Sequence, residues 1–252
     1  MTSVPPLPCL VASYNSKEQG PVAFIAASWL AALSHWPDEA SVLVDDRWTR
    51  PASVSGRRLV TRDDLGSLIA ATDLADPLGV RKAFVLMMAW GSGVTNTRSY
   101  RYTALALAAP NCADVLAKTA RLCREGRLDQ AYREFSLPGI GRSFFTKWFA
   151  FAGRADGRRW QPLILDDRVF RTLNQSLRIS TVELANTRRR DRRYCAYVEA
   201  LHRWSDSLFE SGIQCSAERL EWILFSHNGA DIPCSPKRPG PNPDVPPSAP
   251  GS

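Results

Sequence analysis

The chain is poor in the side chains that hold transition metals. Its 252 residues contain three histidines and six cysteines, and Cys9, Cys112, Cys123, Cys195, Cys215 and Cys234 are dispersed, with no C-x-x-C pair or close Cys/His group. That spacing excludes a zinc centre or an iron–sulfur cluster. No run of about 18 uninterrupted apolar residues exists, so no membrane-crossing helix is expected. The opening MTSVPPLPCLV lacks the basic and apolar regions of a signal peptide. A cytoplasmic protein with free thiols is the expectation. No internal repeat is present either. Lysine is scarce. Of 32 basic residues only Lys17, Lys82, Lys118, Lys147 and Lys237 are lysines, and the other 27 are arginines. With a formal charge of +7, this bias suits phosphate and base edges, although a GC-rich genome produces the same bias.

Apolar residues recur mostly at helical spacing, so the class is mainly α. Helices are expected over 21–33, 64–71 (capped by Thr61 or Asp63), 78–90, 113–126, 128–135, 142–152, 167–177, 194–211 and 217–227, the last capped by Ser216. Residues 42–62 mix turn formers with short β-branched runs, so minor β is possible there, as a loop or a small hairpin. The domain is expected to span 1–232. The tail 233–252 holds eight prolines in twenty residues and reads as disordered or polyproline-like.

Two features carry chemistry. Leu137-Pro138-Gly139-Ile140-Gly141 is a tight turn between helical segments. Its glycines permit close approach, and the N–H groups opening the next helix favour an anion. Taken alone, such a turn is equally a simple connector. Further on, Leu165-Asp166-Asp167-Arg168-Val169-Phe170-Arg171 places an acidic pair at a helix start. An aspartate there is either a plain N-cap or the carboxylate that sugar–base bond cleavage requires, since cleavage builds positive charge on the sugar and water must attack it.

Together these motifs resemble the helix–hairpin–helix DNA glycosylase superfamily, which pairs an L-P-G-[IV]-G hairpin with an aspartate in a D-x-[HR]-V-x-R setting. The resemblance implies a two-lobed helical fold that flips a base out of double-stranded DNA. It places the catalytic carboxylate on Asp166. The linker from Arg142 is longer than the family's, so Asp167 stays open as the residue facing the sugar. It implies DNA contacts from Leu137, Gly139, Ile140, Gly141, Arg142, Ser143 and Arg168, and a monovalent K+ or Na+ held by the Leu137 and Ile140 carbonyls, with no other cofactor required. Bifunctional members carry a Schiff-base lysine two residues after the second hairpin glycine, where this chain has Ser143. A monofunctional enzyme leaving an abasic site is therefore expected. Lys147, one turn further on, reads as an exposed helix cation, with substitution for the missing amine as the alternative.

The loop from Trp90 to Arg98 offers Asn96 and Arg98 for contacts near the orphaned partner base, or simply ends a helix. Trp222, Phe225 and His227 offer stacking surfaces for a base pocket, although a three-residue spacing also describes a core stripe. The run from Arg188 to Arg193 suits phosphate or a solvated surface. The overall look is nearest bacterial proteins with an 8-oxoguanine glycosylase fold. One such relative defends against phage by removing glucosylated hydroxymethylcytosine, and that substrate class is the leaning here. Repair of an oxidised or alkylated purine, and non-catalytic DNA binding, remain alternatives. A monomer is expected.

Overall fold

The computed structural model describes residues 6–94 and 98–232. The Pro-rich tail and Asn96 lie outside the described residues. After α1 (Leu7–Ala12) the chain forms β1 (Val22–Ile25), which runs straight into α2 (Ala26–Ala32) and, beyond a turn, α3 (Pro37–Ala40). The short strands β2 (Arg50–Pro51) and β3 (Arg57–Val60) follow, within the 42–62 segment. They form an antiparallel sheet of order β1-β3-β2, with Val22 opposite Val60 and Ile25 opposite Arg57. The single helix expected over 21–33 is thus split. Val22-Ala23-Phe24-Ile25 is branched and aromatic enough to pair as a strand once β3 is alongside.

Next come α4 (Arg62–Ala71) and α5 (Pro77–Ser92). Thr61 and Asp64 make a reciprocal capping box for α4, and Asp76 caps α5. Helix α5 is buried on every side from Ala83 to Ala89, as an all-round apolar helix must be. It is the central post against which α3, α4 and β1 pack. α6 (Ser99–Leu107), α7 (Cys112–Arg124) and α8 (Leu128–Glu134) lead to the hairpin and to α9 (Arg142–Ala152). α10 (Asp167–Arg171) continues into a wide turn over Thr172–Ser176, and α11 (Thr181–Ala185), α12 (Arg190–Glu210) and α13 (Ala217–His227) complete the chain.

One hydrophobic core runs from Leu7 to Ile232. Phe145 and Phe149 of α9 lie against Phe135, and Phe149 reaches Tyr194 of α12. The indole N–H of Trp148 donates to the Leu116 carbonyl at 3.1 Å, fixing α9 to α7. A side chain at Gly153, where α9 ends, would lie 2.6 Å from the Phe149 carbonyl oxygen. Among the described residues no helix is long and apolar enough to cross a membrane. Cys112, Cys123, Cys195 and Cys215 are free thiols. Cys9 is disulfide-bonded, against the expectation of thiols throughout.

Candidate active site

The hairpin forms as a tight turn. Gly139 has φ +76°, a left-handed value that favours glycine, and a Cβ there would lie 2.9 Å from Tyr102 Cδ1. The Ile140 N–H donates to the Leu137 carbonyl at 3.3 Å, and both side chains are buried. Gly141 stands at the N-cap of α9 with no side chain to satisfy the first turn. The N–H groups of Arg142 and Ser143 therefore point outward with no acceptor among the described residues, where the helix dipole favours an anion.

The guanidinium of Arg142 is engaged inside the protein. It donates from Nε to the Leu165 carbonyl at 3.1 Å, pairs with Asp167 and lies 4.2 Å over the Phe170 ring. This side chain ties the hairpin helix to the segment carrying the acidic pair. Asp167, exposed and paired with Arg142, faces away from the interior. Asp166 is the inward partner. Its Oδ1 accepts the Arg168 N–H at 2.8 Å, so it caps α10, and its Oδ2 accepts from Lys147 Nζ at 3.1 Å.

Lys147 is not an exposed helix cation. It is 5% exposed, and its ammonium also donates to the Ser143 carbonyl at 2.8 Å. The cause lies on α5. Gly91 has no side chain, and a Cβ there would sit 2.8 Å from Lys147 Cδ, so the lysine stem fills that space. Burial alone would raise the Asp166 carboxyl, but the Lys147 charge and the Arg168 N–H outweigh it and hold the group below its ordinary value.

Asp166 is placed by an unusual set of bonds. The extended run before it takes its partners from side chains on three helices. Tyr194 Oη donates to the Leu163 carbonyl at 2.8 Å, and Tyr197 Oη to the Ile164 carbonyl at 2.7 Å. The Ile164 N–H donates to Glu221 at 2.6 Å, and the Leu165 N–H to Thr146 Oγ1 at 3.0 Å.

Beside Lys147 lies a cavity of about 80 Å³, whose wall includes Arg62, Trp90, Gly91, Glu221, Trp222 and Phe225. Trp222 and Phe225 are both half-buried on it, and Arg168 lies 4.9 Å over the Phe225 ring. A wider groove of about 440 Å³ between Asp73 and Arg124 shares no residue with this cavity. His227 is turned away, its Nε2 2.6 Å from the Ala230 carbonyl. The basic run is largely internal wiring. Arg189 and Arg133 pair with the buried Asp191 at 2.8 and 2.5 Å, Arg192 reaches Asp129 at 3.6 Å, and Arg193 donates to Thr181. Arg188 and Arg190 have no ion-pair partner among the described residues. Arg98 stands exposed at the start of α6.

Sequence reasoning missed Arg62, Glu221, Trp90 and the burial of Lys147. Two signals were present. Glu221 interrupts the apolar face of Ala217, Leu220 and Leu224, and Lys147 sits among Phe144, Trp148 and Phe151. An ionisable group on an apolar helical face needs a buried partner.

Comparison with curated proteins and with solved structures returned no match. Among the described residues no group of His, Cys, Asp and Glu could hold a metal ion. A family model described as "Putative 8-oxoguanine DNA glycosylase OGG-like protein" matches residues 15–225. With its hairpin, its inward aspartate and its helical scaffold, the chain belongs to this OGG-like DNA glycosylase family.

Proposed function

We propose that this protein grips double-stranded DNA as a monomer through the 137–141 hairpin, flips a modified base into the cavity beside Lys147, and cleaves its bond to the sugar. The observation that carries this reading is the Asp166 carboxyl group, 3.1 Å from a buried lysine amine at the edge of an aromatic-walled cavity. Departure of the base builds positive charge on the sugar, and Asp166 stabilises that charge while directing water to C1′. The product is an intact abasic site.

The position of Lys147 favours a second reading of the same site. Ser143 stands where bifunctional relatives carry their lysine, yet Lys147 brings an amine to the carboxylate from one turn further along. After passing a proton to Asp166, the Nζ lone pair attacks C1′, and the base leaves with the bonding electrons and takes up a proton. One proton then moves from the attached nitrogen to O4′ as the C1′–O4′ bond breaks, and the open-chain protonated imine permits strand cleavage without alkali.

The turn also fits a monovalent cation, because it offers hard backbone oxygens at Leu137 and Ile140. When bound, K+ or Na+ would add positive charge for a DNA phosphate.

For the substrate, the expectation of glucosylated hydroxymethylcytosine and an antiviral role rested partly on the missing lysine, and Lys147 removes that ground. A cavity of about 80 Å³ must open further for a hexose-bearing cytosine than for an oxidised purine, and the family's description also names 8-oxoguanine. The oxidised purine is the substrate class we favour. The test uses duplexes carrying 8-oxoguanine, an alkylated purine, uracil or glucosylated hydroxymethylcytosine, read on gels before and after hot alkali. Breaks only after alkali, lost in Asp166→Asn, support hydrolysis. Breaks before alkali, lost in Lys147→Gln, support the lysine route. Binding without cleavage of any duplex points instead to a non-catalytic hairpin protein.

A further inference from the structure

The cavity beside Lys147 contains a second ion pair, half-buried at Arg62 and buried at Glu221, that the cleavage chemistry does not use. Arg62, the first residue of α4, donates from Nη1 to Glu221 Oε1 at 3.2 Å. Glu221 is 2% exposed, and its other oxygen accepts the Ile164 N–H at 2.6 Å. Gln19 Oε1 lies 3.5 Å from the same Arg62 nitrogen. Burial pushes the Glu221 carboxyl up, against the opposing pull of Arg62 and the Ile164 N–H. A largely desolvated pair of this kind is weak evidence for stability, which leaves open what else it does.

Hydrogen-bond bookkeeping gives the answer. Each Glu221 oxygen and each Asp166 oxygen already accepts one hydrogen bond from the protein. Donors remain. Nε and Nη2 of Arg62 have no acceptor among the described residues, and the guanidinium is held 5.4 Å over the Phe151 ring. Trp90, 5% exposed and lining the same cavity, carries a buried indole N–H with no partner. A buried donor left unmade is costly, and this one belongs to a side chain that lines the cavity. Arg62 and Lys147, the cations on this wall, are each paired with a carboxylate, which leaves the cavity no unpaired cation for a phosphate. It suits a neutral ring.

We infer that Arg62, held in place by Glu221, and the Trp90 indole N–H read the edge of the flipped base, and that the base presents carbonyl oxygens to them. The inference rests on the glycosylase reading and narrows it to keto bases, disfavouring rings whose entering edge carries an exocyclic amine. An amine would set donor against donor. A site built from buried hydrogen-bonding groups rejects a mismatched analogue strongly, and one bidentate contact discriminates by about 10- to 100-fold.

The test pairs duplexes that differ only in this edge: 8-oxohypoxanthine against 8-oxoadenine, and uracil against cytosine. Each is used with a normal sugar for single-turnover excision and with a 2′-fluoro sugar, which resists cleavage, for binding. The variants are Trp90→Phe, which removes only the N–H, and the double variant Arg62→Gln/Glu221→Gln, which leaves no lone buried charge. Wild type should favour the keto member of each pair at least about tenfold, and both variants should reduce that preference while circular dichroism stays native. A purely structural ion pair would change the melting temperature and leave the preference intact. That outcome, equal treatment of both members, or a preference for the amino member overturns the inference. Excision without preference leaves the glycosylase standing and removes the base-reading role. Keto-selective binding without excision does the reverse.

Discussion

Replacing Gly91 with alanine should silence the enzyme while leaving it folded. The new Cβ would lie 2.8 Å from Lys147 Cδ, 3.3 Å from Lys147 Cε and 3.1 Å from Phe144 Cε1. Carbon atoms prefer about 3.5–4.0 Å, so the lysine stem must retreat by roughly 1 Å. That displacement comes out of the 3.1 Å contact between Nζ and Asp166 and the 2.8 Å bond to the Ser143 carbonyl. Misplacement of a reacting group by about 1 Å costs on the order of 100-fold in rate. Stability should respond differently. Alanine gains about 1 kcal/mol over glycine inside a helix, offsetting most of an overpacking cost of about 1–3 kcal/mol. In a chain of this length the net change should move Tm by no more than about 6 °C. The measurement combines thermal unfolding with single-turnover excision of whichever duplex the wild type cleaves. Gly66→Ala is the control, since a Cβ at that α4 position meets nothing within 4 Å. A Gly91→Ala protein that excises within about threefold of wild type would show that the position of Lys147 does not limit catalysis.

Other outcomes follow from the same geometry. Asp166→Asn should lower excision by about 100- to 1,000-fold with unchanged DNA affinity, and a parallel loss of binding would make Asp166 structural. Because the native Asp166 carboxyl titrates below its ordinary value of 3.8, the pH–rate profile should show no Asp166 limb between neutrality and about pH 5. Its contribution to stability is fully present above the unfolded value of about 3.9 and is lost as pH falls through the lower native one, which acid titrations of wild type and Asp166→Asn would reveal as converging stabilities. Gly141→Ala offers a separate test of the hairpin. Its φ is −82° and no protein atom lies within 4 Å of the added Cβ, so Tm should hold while DNA affinity falls by about tenfold if phosphate approaches there; unchanged affinity would remove the turn from the interface. Tyr197→Phe leaves the Ile164 carbonyl without its 2.7 Å bond. It should cost about 1–3 kcal/mol in denaturant unfolding and slow excision without weakening DNA binding.

Much of the scaffold was legible because the local signals agreed with the tertiary solution. Helices α9 and α13 begin and end at the residues that apolar periodicity and capping marked, and Thr61 caps α4 as its side chain suggests. The failures have particular causes. Val22–Ile25 is helical in pattern but pairs with β3, a long-range choice that periodicity does not encode. α6 reads SYRYTALAL, too polar at its start to register as amphipathic. At the site, the hairpin and the acidic pair were visible as motifs, but the choice between Asp166 and Asp167 was not. It depends on Arg142 drawing Asp167 outward and on Gly91 leaving space for Lys147, contacts spanning 25 and 56 positions of sequence. Arg62 and Glu221 are farther apart still, 159 residues.

The side-chain bonds on residues 163–165 also bear on why the interval between hairpin and carboxylate can differ from that of other family members. Asp166 is registered by Tyr194, Tyr197, Glu221, Thr146 and Arg142, not by counting residues from Gly141. The stretch around Arg154, Asp156 and Gly157 lies at the surface upstream of those anchors and works as slack rather than as a ruler. Lengthening slack is cheap, about 0.6 kcal/mol for each doubling. Insertions can accumulate there over evolutionary time while the carboxylate stays where five distant side chains put it.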